Sequence, residues 1–266
     1  MFRNITLGQY YPIDSILHRM DPRTKLFGTL FFIIIVFLAT KPLNILIVTL
    51  FLIVEIKLSK VPLSMIIRGL KGVIALILVA GVFNIFLTTG EPVFKWHFIT
   101  ITREGLYNAG YMLIRIVYTV IGTSIMTYTT TPKALTEGLE KGLSCLNKIK
   151  VPVHEMAMMM SIALRYIPIL TEETDKIMKA QMARGADFEH GNIIKRAKNM
   201  VPLLVPLFVN AFRRASDLAI AMEARCYHGG EGRTKMKPLK YGKVDLVGYI
   251  VIILLFVISV LLEIEF

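Results

Sequence analysis

Two arginines in matching surroundings are the residues of this chain best suited to specific chemistry. Arg184 stands in Ala183-Arg184-Gly185 and Arg225 in Ala224-Arg225-Cys226, 41 residues further on. A guanidinium is a planar fork of donors that fits a carboxylate and keeps its charge at any physiological pH. One arginine in the last turn of a helix is already favoured by the helix dipole. Two of them, each after a helical run carrying Ala and Met, point instead to docking on a partner with two similar grooves. Met178 and Met182, like Leu218 and Met222, are i, i+4 partners, and Ala180, Ala183, Ala219, Ala221 and Ala224 allow helices to approach closely.

The residues that could do bond-making chemistry are not assembled for it. His18, His97, His154, His190 and His228 form no i, i+4 pair, and Cys145 and Cys226 form no Cys-x-x-Cys, so neither a metal site nor a disulfide framework is expected. His154-Glu155 lacks the second histidine of a zinc-protease helix. HGGEGRTK at His228–Lys235 has glycines and a lysine without the spacing of a phosphate loop, and it follows a helix, where it reads as a turn. Glu172-Glu173, beside Asp175 and Lys176, reads as a solvated helix face. No catalytic residue and no cofactor is assigned to this chain.

These side chains must be positioned by helices in a membrane. The sequence is 55% hydrophobic with a mean hydropathy of +0.60, and the apolar residues come in blocks. Five stand out: Leu26–Thr40, Leu43–Ile56, Val73–Thr89, about Leu106–Tyr128, and Val244–Leu262. The first two, joined at Lys41-Pro42, span only about 22 Å at 1.5 Å per residue against a hydrocarbon core of roughly 30 Å. Either the bilayer thins there or the pair packs on other protein. Gly90–Arg103 carries Phe94, Trp96 and Phe98 as interfacial anchors, and its alternating end predicts a small hairpin. Asn84, Arg115 and Glu55 are the polar residues of the spans, with Glu55 near enough to an end to snorkel and Arg115 reaching for the interface or a partner.

The net charge of +12 follows from location rather than from nucleic-acid binding. Of 31 Lys and Arg, 27 lie in residues 1–25, 57–72 and 132–243. The positive-inside rule places these segments in the cytoplasm, and five crossings leave the C-terminus outside. Residues 1–25 show no secretory signal. The expected organisation is a membrane region over 1–130 with four spans, a basic block over 131–243, and a last span over 244–266.

Within the block three helices are expected. Thr131–Lys148 opens with threonine as cap and Pro132 at the first helical position, with Leu135, Leu139, Leu143 and Leu146 on one face. A second runs from Pro152 to about Arg184 with a kink at Pro168, and a third from about Asn192 through Pro202 and Pro206 to Arg225. Their apolar halves are short for independent spans and suit helices buried in protein or lying at the interface. An even number of extra crossings is the alternative that charge counting leaves open.

This pattern resembles the transmembrane T component of energy-coupling factor transporters. The similarity rests on the two Ala-Arg-x motifs, on GQYYPIDSILHRMDPRTKL (Gly8–Leu26) before the first span, and on EARCYHGGEGRTK (Glu223–Lys235) around the second motif. Cys226 stands where that family commonly has glycine. The resemblance implies an all-α polytopic membrane protein of about five transmembrane helices with long cytoplasmic coupling helices. It further implies a non-catalytic scaffold whose Ala183-Arg184-Gly185 and Ala224-Arg225-Cys226 dock on two similar or identical ATP-binding-cassette subunits, which themselves bind ATP and Mg. Leu135, Leu139, Met156, Met158, Met159 and Met160 would hold a substrate-binding membrane S component for vitamin or micronutrient uptake. A stand-alone secondary transporter or channel is the competing expectation, and it would need an ion-coupling site that the spans do not show. A polytopic membrane enzyme is disfavoured by the missing catalytic constellation.

Overall fold

The computed structural model describes residues 9–89, 92–96, 99–188, 192–230, 236 and 238–265. Among them the chain forms helices α1 (Ile16–Arg19), α2 (Pro22–Leu38), α3 (Pro42–Ser59), α4 (Leu63–Lys71), α5 (Ile74–Leu87), α6 (Arg103–Thr129), α7 (Pro132–Gly142), α8 (Val153–Ala183), α9 (Ile193–Glu223) and α10 (Lys243–Glu265). A single hairpin, β1 (Pro92–Trp96) antiparallel to β2 (Ile99–Thr102), interrupts the helical order. The architecture is that of an all-α polytopic membrane protein. Helices α3, α6, α8 and α10 are long and apolar enough to cross a membrane, and α4 with α5, bent by 59° at their junction, makes a fifth candidate as one broken span.

The chain divides into two units: a bundle of Gly8–Lys141 with Leu239–Phe266, and a helix pair within Gly142–Pro238. In the bundle, α6 touches α2, α3, α4 and α5, while α10 packs on α2 and α3. Phe32, Ile35 and Val36 of α2, Val48 and Leu52 of α3, and Ile252 and Leu255 of α10 form one buried cluster. In lipid no hydrophobic force drives such helices together, so close packing must do so. Gly122 supplies it on α6, where a Cβ would stand 2.6 Å from the Phe32 ring.

Helices α2 and α3 are 17 and 18 residues long, about 26 and 27 Å. They outrun their apolar stretches because good caps lie further out. Asp21 caps α2, accepting from the Arg23 amide, and Pro22 suits the first helical turn, where its missing N–H costs nothing. Lys60, at φ 56°, ends α3.

The Asp-Pro-Arg-Thr-Lys stretch ties three helix ends together. The Asp245 carboxylate, at the start of α10, accepts the Asp21 amide (2.7 Å) and the Gly242 amide (2.7 Å). Lys25 Nζ donates to the Thr129 carbonyl at the C-terminus of α6 (2.8 Å), where a cation complements the dipole. Arg23 binds Asp21 through two nitrogens (3.0 and 2.9 Å) and lies 3.8 Å over the Tyr241 ring. Burial pushes the Asp21 carboxyl up, and the hydrogen bonds from the Arg23 side chain and amide outweigh it, holding the group below its ordinary value.

Several sequence expectations are corrected. The helix expected over Thr131–Lys148 stops at Gly142, and a 3-10 turn over Ser144–Ile149 follows, closed by Lys150 at φ 62°. Thr131 does cap it, accepting from the Ala134 amide (3.3 Å), but Leu143 is exposed. Residues 57–72, which the charge count treats only as a basic segment between apolar blocks, contain α4, held by Ile66 and by a Tyr128 hydroxyl that donates to the Met65 carbonyl (3.1 Å). The expected hairpin forms, with Phe94 paired to Ile101, while Gly90, His97 and Phe98 lie outside the described residues. Helix α8 contains Pro168 in its interior, and the Thr171 and Thr174 hydroxyls bond back to the carbonyls of Ile167 and Leu170 (2.8 and 2.7 Å).

Candidate partner-docking site

Helices α8 and α9 are each 31 residues long, and they end in the same way. At the end of α8 the Gly185 amide donates to the Met182 carbonyl (3.0 Å) and the Ala186 amide to Gln181 (3.0 Å), with Gly185 at φ 89°. At the end of α9 the Cys226 amide donates to Glu223 (2.9 Å) and the Tyr227 amide to Met222 (3.1 Å), with Cys226 at φ 56°. Both are Schellman caps, in which the left-handed residue lets the chain turn back on the last carbonyls. Arg184 and Arg225 occupy the same place in each, immediately before the left-handed residue. Their amides also match, donating to Gln181 (3.0 Å) and Met222 (3.1 Å).

Ala183, Arg184, Gly185, Ala224, Arg225 and Cys226 are all exposed. Among the described residues neither guanidinium has a hydrogen-bond or ion-pair partner. The arrangement is two cationic forks, each on a backbone fixed by two cap hydrogen bonds and each at the negative end of a helix. It can grip an acidic groove at each end. Among the described residues no group of three or more His, Cys, Asp or Glu could hold a metal ion.

The remaining sequence candidates divide. Met156, Met159 and Met160 are exposed on α8 and Met158 is half-buried. Leu135 and Leu139 lie half-buried on α7 in the bundle, where Gly138 sits against Pro22. Glu173 is not a solvated surface acid: its Oε1 accepts from Asn210 Nδ2 (2.6 Å) and its Oε2 from Arg214 (3.2 Å), linking α8 to α9. The 41-residue offset of the arginines was the signal that could have found this pair, since it also relates Glu173 to Arg214. A second omission is an exposed apolar stripe on α9, Val201, Leu204, Val205, Phe208 and Phe212, whose spacing of three and four puts it on one face.

Two of the polar residues of the spans, Arg115 and Asn84, are bound within the bundle. Arg115 donates to the Ala39 carbonyl (3.2 Å), which caps the end of α2 rather than reaching for the interface. Asn84 donates to the Ala80 carbonyl (3.3 Å) and faces Met112 across the α5–α6 contact. Glu55 does not snorkel: its Oε2 is buried with no hydrogen-bond partner among the described residues, on a cavity of about 180 Å³ lined by Thr24, Gly28, Phe32 and Gly122 among others. His228 Nδ1 contacts the Cys226 carbonyl (2.9 Å), and Glu231–Lys235 of the HGGEGRTK stretch lies outside the described residues.

Comparison with known proteins agrees with this architecture. The CbiQ family, described as a cobalt transport protein, matches residues 14–236. The chain is 52% identical to the energy-coupling factor transporter transmembrane protein EcfT of Acidaminococcus fermentans, over 99% of this chain and 98% of that one. It is 50% identical to EcfT of Clostridium kluyveri, over 98% and 97% of the two chains. Against EcfT of Lactococcus lactis subsp. cremoris it is 46% identical over 97% and 98%. With two arginine-capped helix ends, a multi-pass apolar bundle and relatives matched over nearly their full length, the chain belongs to the CbiQ family as a transmembrane T component of the energy-coupling factor transporters.

Proposed function

We propose that this chain is the scaffold and energy-coupling subunit of an ATP-driven importer. Arg184 and Arg225 each enter an acidic groove on one of two ATP-binding-cassette subunits, and closure of that pair moves the ends of α8 and α9. The subunits bind and hydrolyse ATP with Mg; this chain performs no chemistry of its own. Exposed apolar faces, with Met156, Met159 and Met160 on α8, hold a substrate-binding membrane S component, and flexible methionines suit a partner that must re-pack. Vitamins or other micronutrients are the class of solute, reaching the S component and not this chain. In this reading the N-terminus and both arginine ends face the cytoplasm.

The observation that carries the reading is the repetition of one cap, bond for bond, on two 31-residue helices, each presenting an arginine with no side-chain partner among the described residues. A secondary transporter would need a coupling site, and Arg115 and Asn84 are both engaged inside the bundle.

The test is co-purification with the ATPase subunits. Arg184→Ala and Arg225→Ala should each weaken retention of the ATPase pair, and the double variant should abolish transport while inserting normally. Lysine should rescue poorly, because it lacks the planar fork. Undiminished retention and transport in the double variant would falsify the assignment.

A further inference from the structure

Helix α2 carries Thr24, Gly28 and Phe32 at steps of four, and α3 carries Phe51 and Glu55 in the same way. Both stripes line one cavity of about 180 Å³, which α1, α6 and α10 also border. Gly28 keeps it open, because a Cβ there would meet nothing within 4 Å. The space suits one small group: roughly 150 Å³ of dry apolar cavity accommodates a benzene.

Two polar atoms on this wall are left over. Thr24 is 4% exposed, and neither its Oγ1 nor Glu55 Oε2 has a hydrogen-bond partner among the described residues. Leaving a buried donor or acceptor unmet is costly and uncommon. Thr24 is the third residue of α2 and Glu55 lies four residues before the end of α3. These helices run as a hairpin through Lys41-Pro42, so both atoms belong to the same side of the bundle. Their needs differ: the carboxyl oxygen lacks a donor, and the threonine hydroxyl lacks an acceptor for its proton. Lys25, on the same wall, is already bound to the Thr129 carbonyl (2.8 Å).

We propose that this cavity binds the hydroxyl end of a membrane amphiphile, a long-chain alcohol or an acylglycerol with a free hydroxyl. The hydroxyl donates to Glu55 and accepts from Thr24, and the first methylenes lie along Gly28, Phe32 and Phe51. A protonated amine brings donors only, while a carboxylate or phosphate head brings acceptors only to Glu55. Water satisfies both polar atoms but gains nothing from the apolar wall. The exposed residues of the lining, Ile16, Leu58 and Val247, are apolar, so the ligand arrives from lipid. No residue of this cavity is among those assigned to docking, and the site stands or falls apart from that reading.

The test uses the full chain in phosphatidylcholine nanodiscs and 1-decanol bearing a diazirine beside its hydroxyl, with adducts mapped by mass spectrometry. Adducts should fall on residues 24–32 and 51–58. Unlabelled 1-decanol should compete about tenfold better than decane, decylamine or decanoic acid. Gly28→Leu, which fills the open space, should abolish the adducts without lowering the melting temperature. Glu55→Leu should make decane and 1-decanol equal competitors, whereas Glu55→Gln, which keeps a carbonyl acceptor, should preserve most of the preference. Thr24→Val should reduce it roughly two- to fivefold. Should Gly28→Leu insert poorly, the Glu55 series decides alone. Equal competition by decane in the parent, adducts persisting in Gly28→Leu, or a preference surviving Glu55→Leu overturns the site. Stronger competition by decylamine overturns the choice of a hydroxyl. An absence of adducts on these segments, with the probe present in the disc, means that water alone fills the cavity and also overturns it. Benzyl alcohol competing as well as 1-decanol at equal bilayer concentration overturns the lipid source and keeps the alcohol site.

Discussion

The two caps differ at the left-handed residue, and that residue carries a conformational cost. Gly185 and Cys226 both have positive φ, 89° and 56°, a region that costs a side chain about 1–2 kcal/mol and glycine very little. Replacing Cys226 by glycine removes that strain but adds freedom to the unfolded chain, so the net gain is about 0.5–1 kcal/mol. Amide exchange should report it locally. The Tyr227 amide, bonded to Met222, should exchange about two- to fivefold more slowly in Cys226→Gly. Gly185→Ala should speed exchange of the Ala186 amide by a comparable factor. Cys226→Gly exchanging faster at Tyr227 would show that the cysteine side chain contributes contacts that outweigh its backbone strain. That the two arginines occupy matching places was readable from the sequence, because repetition at a fixed offset survives without knowledge of the fold. That Asp245 matters was not: its partner, the Asp21 amide, lies 224 residues away, and no local pattern connects them.

Helix α6 shows why element positions matter more than element composition. It carries Gly110, whose missing side chain faces open space, and Gly122, whose missing side chain makes room for the Phe32 ring. Phe32 is 2% exposed and cannot swing away freely. Gly122→Ala should therefore cost about 1–3 kcal/mol through overpacking, seen as a lower melting temperature of the detergent-purified protein. Gly110→Ala should be neutral or slightly stabilising, since alanine is the better helix former. Phe32→Leu, combined with Gly122→Ala, should recover part of the loss; equal melting temperatures for the two glycine variants would refute the packing account. The long helices were legible because their signals are redundant. Pro152 and Gly185 bracket α8, and the apolar run of α10 needs no partner to be recognised. Helix α4 was missed because nine residues bearing Arg68 and Lys71 count as a basic linker when only charge is tallied. The end of α7 was misplaced because leucine spacing persists to Leu146, while the chain tightens into a 3-10 turn from Ser144. Glu173 was misread for a related cause: an acid beside other acids looks solvated until the helix that covers it is known.

At the scale of the whole molecule, docking and topology constrain each other. Helix α8 is long and apolar enough to cross a membrane, and α9 follows it closely in the chain. If α8 crossed once, Arg184 would emerge on the opposite face from Cys145, and Arg184 and Arg225 could not both meet ATPase subunits in the cytoplasm. The proposed function therefore requires α8 and α9 to lie in or along the interface with both ends on the basic side, consistent with 27 of the 31 Lys and Arg lying in segments assigned there. Cys145 and Cys226 are both exposed, which makes the requirement measurable with a membrane-impermeant thiol reagent. In inverted vesicles the native Cys226 should label fully, and in a cysteine-free background so should Asp187→Cys, three residues past Arg184. In right-side-out vesicles both should stay unlabelled, while Leu262→Cys, near the end of α10, should show the reverse behaviour. Labelling of Asp187→Cys from the outside alone would make α8 a true span, separate the two arginines by the bilayer, and remove the basis for a paired ATPase grip. Labelling of both helix ends from the cytoplasmic side would leave the ends of α8 and α9 free to move with the subunits that hold them.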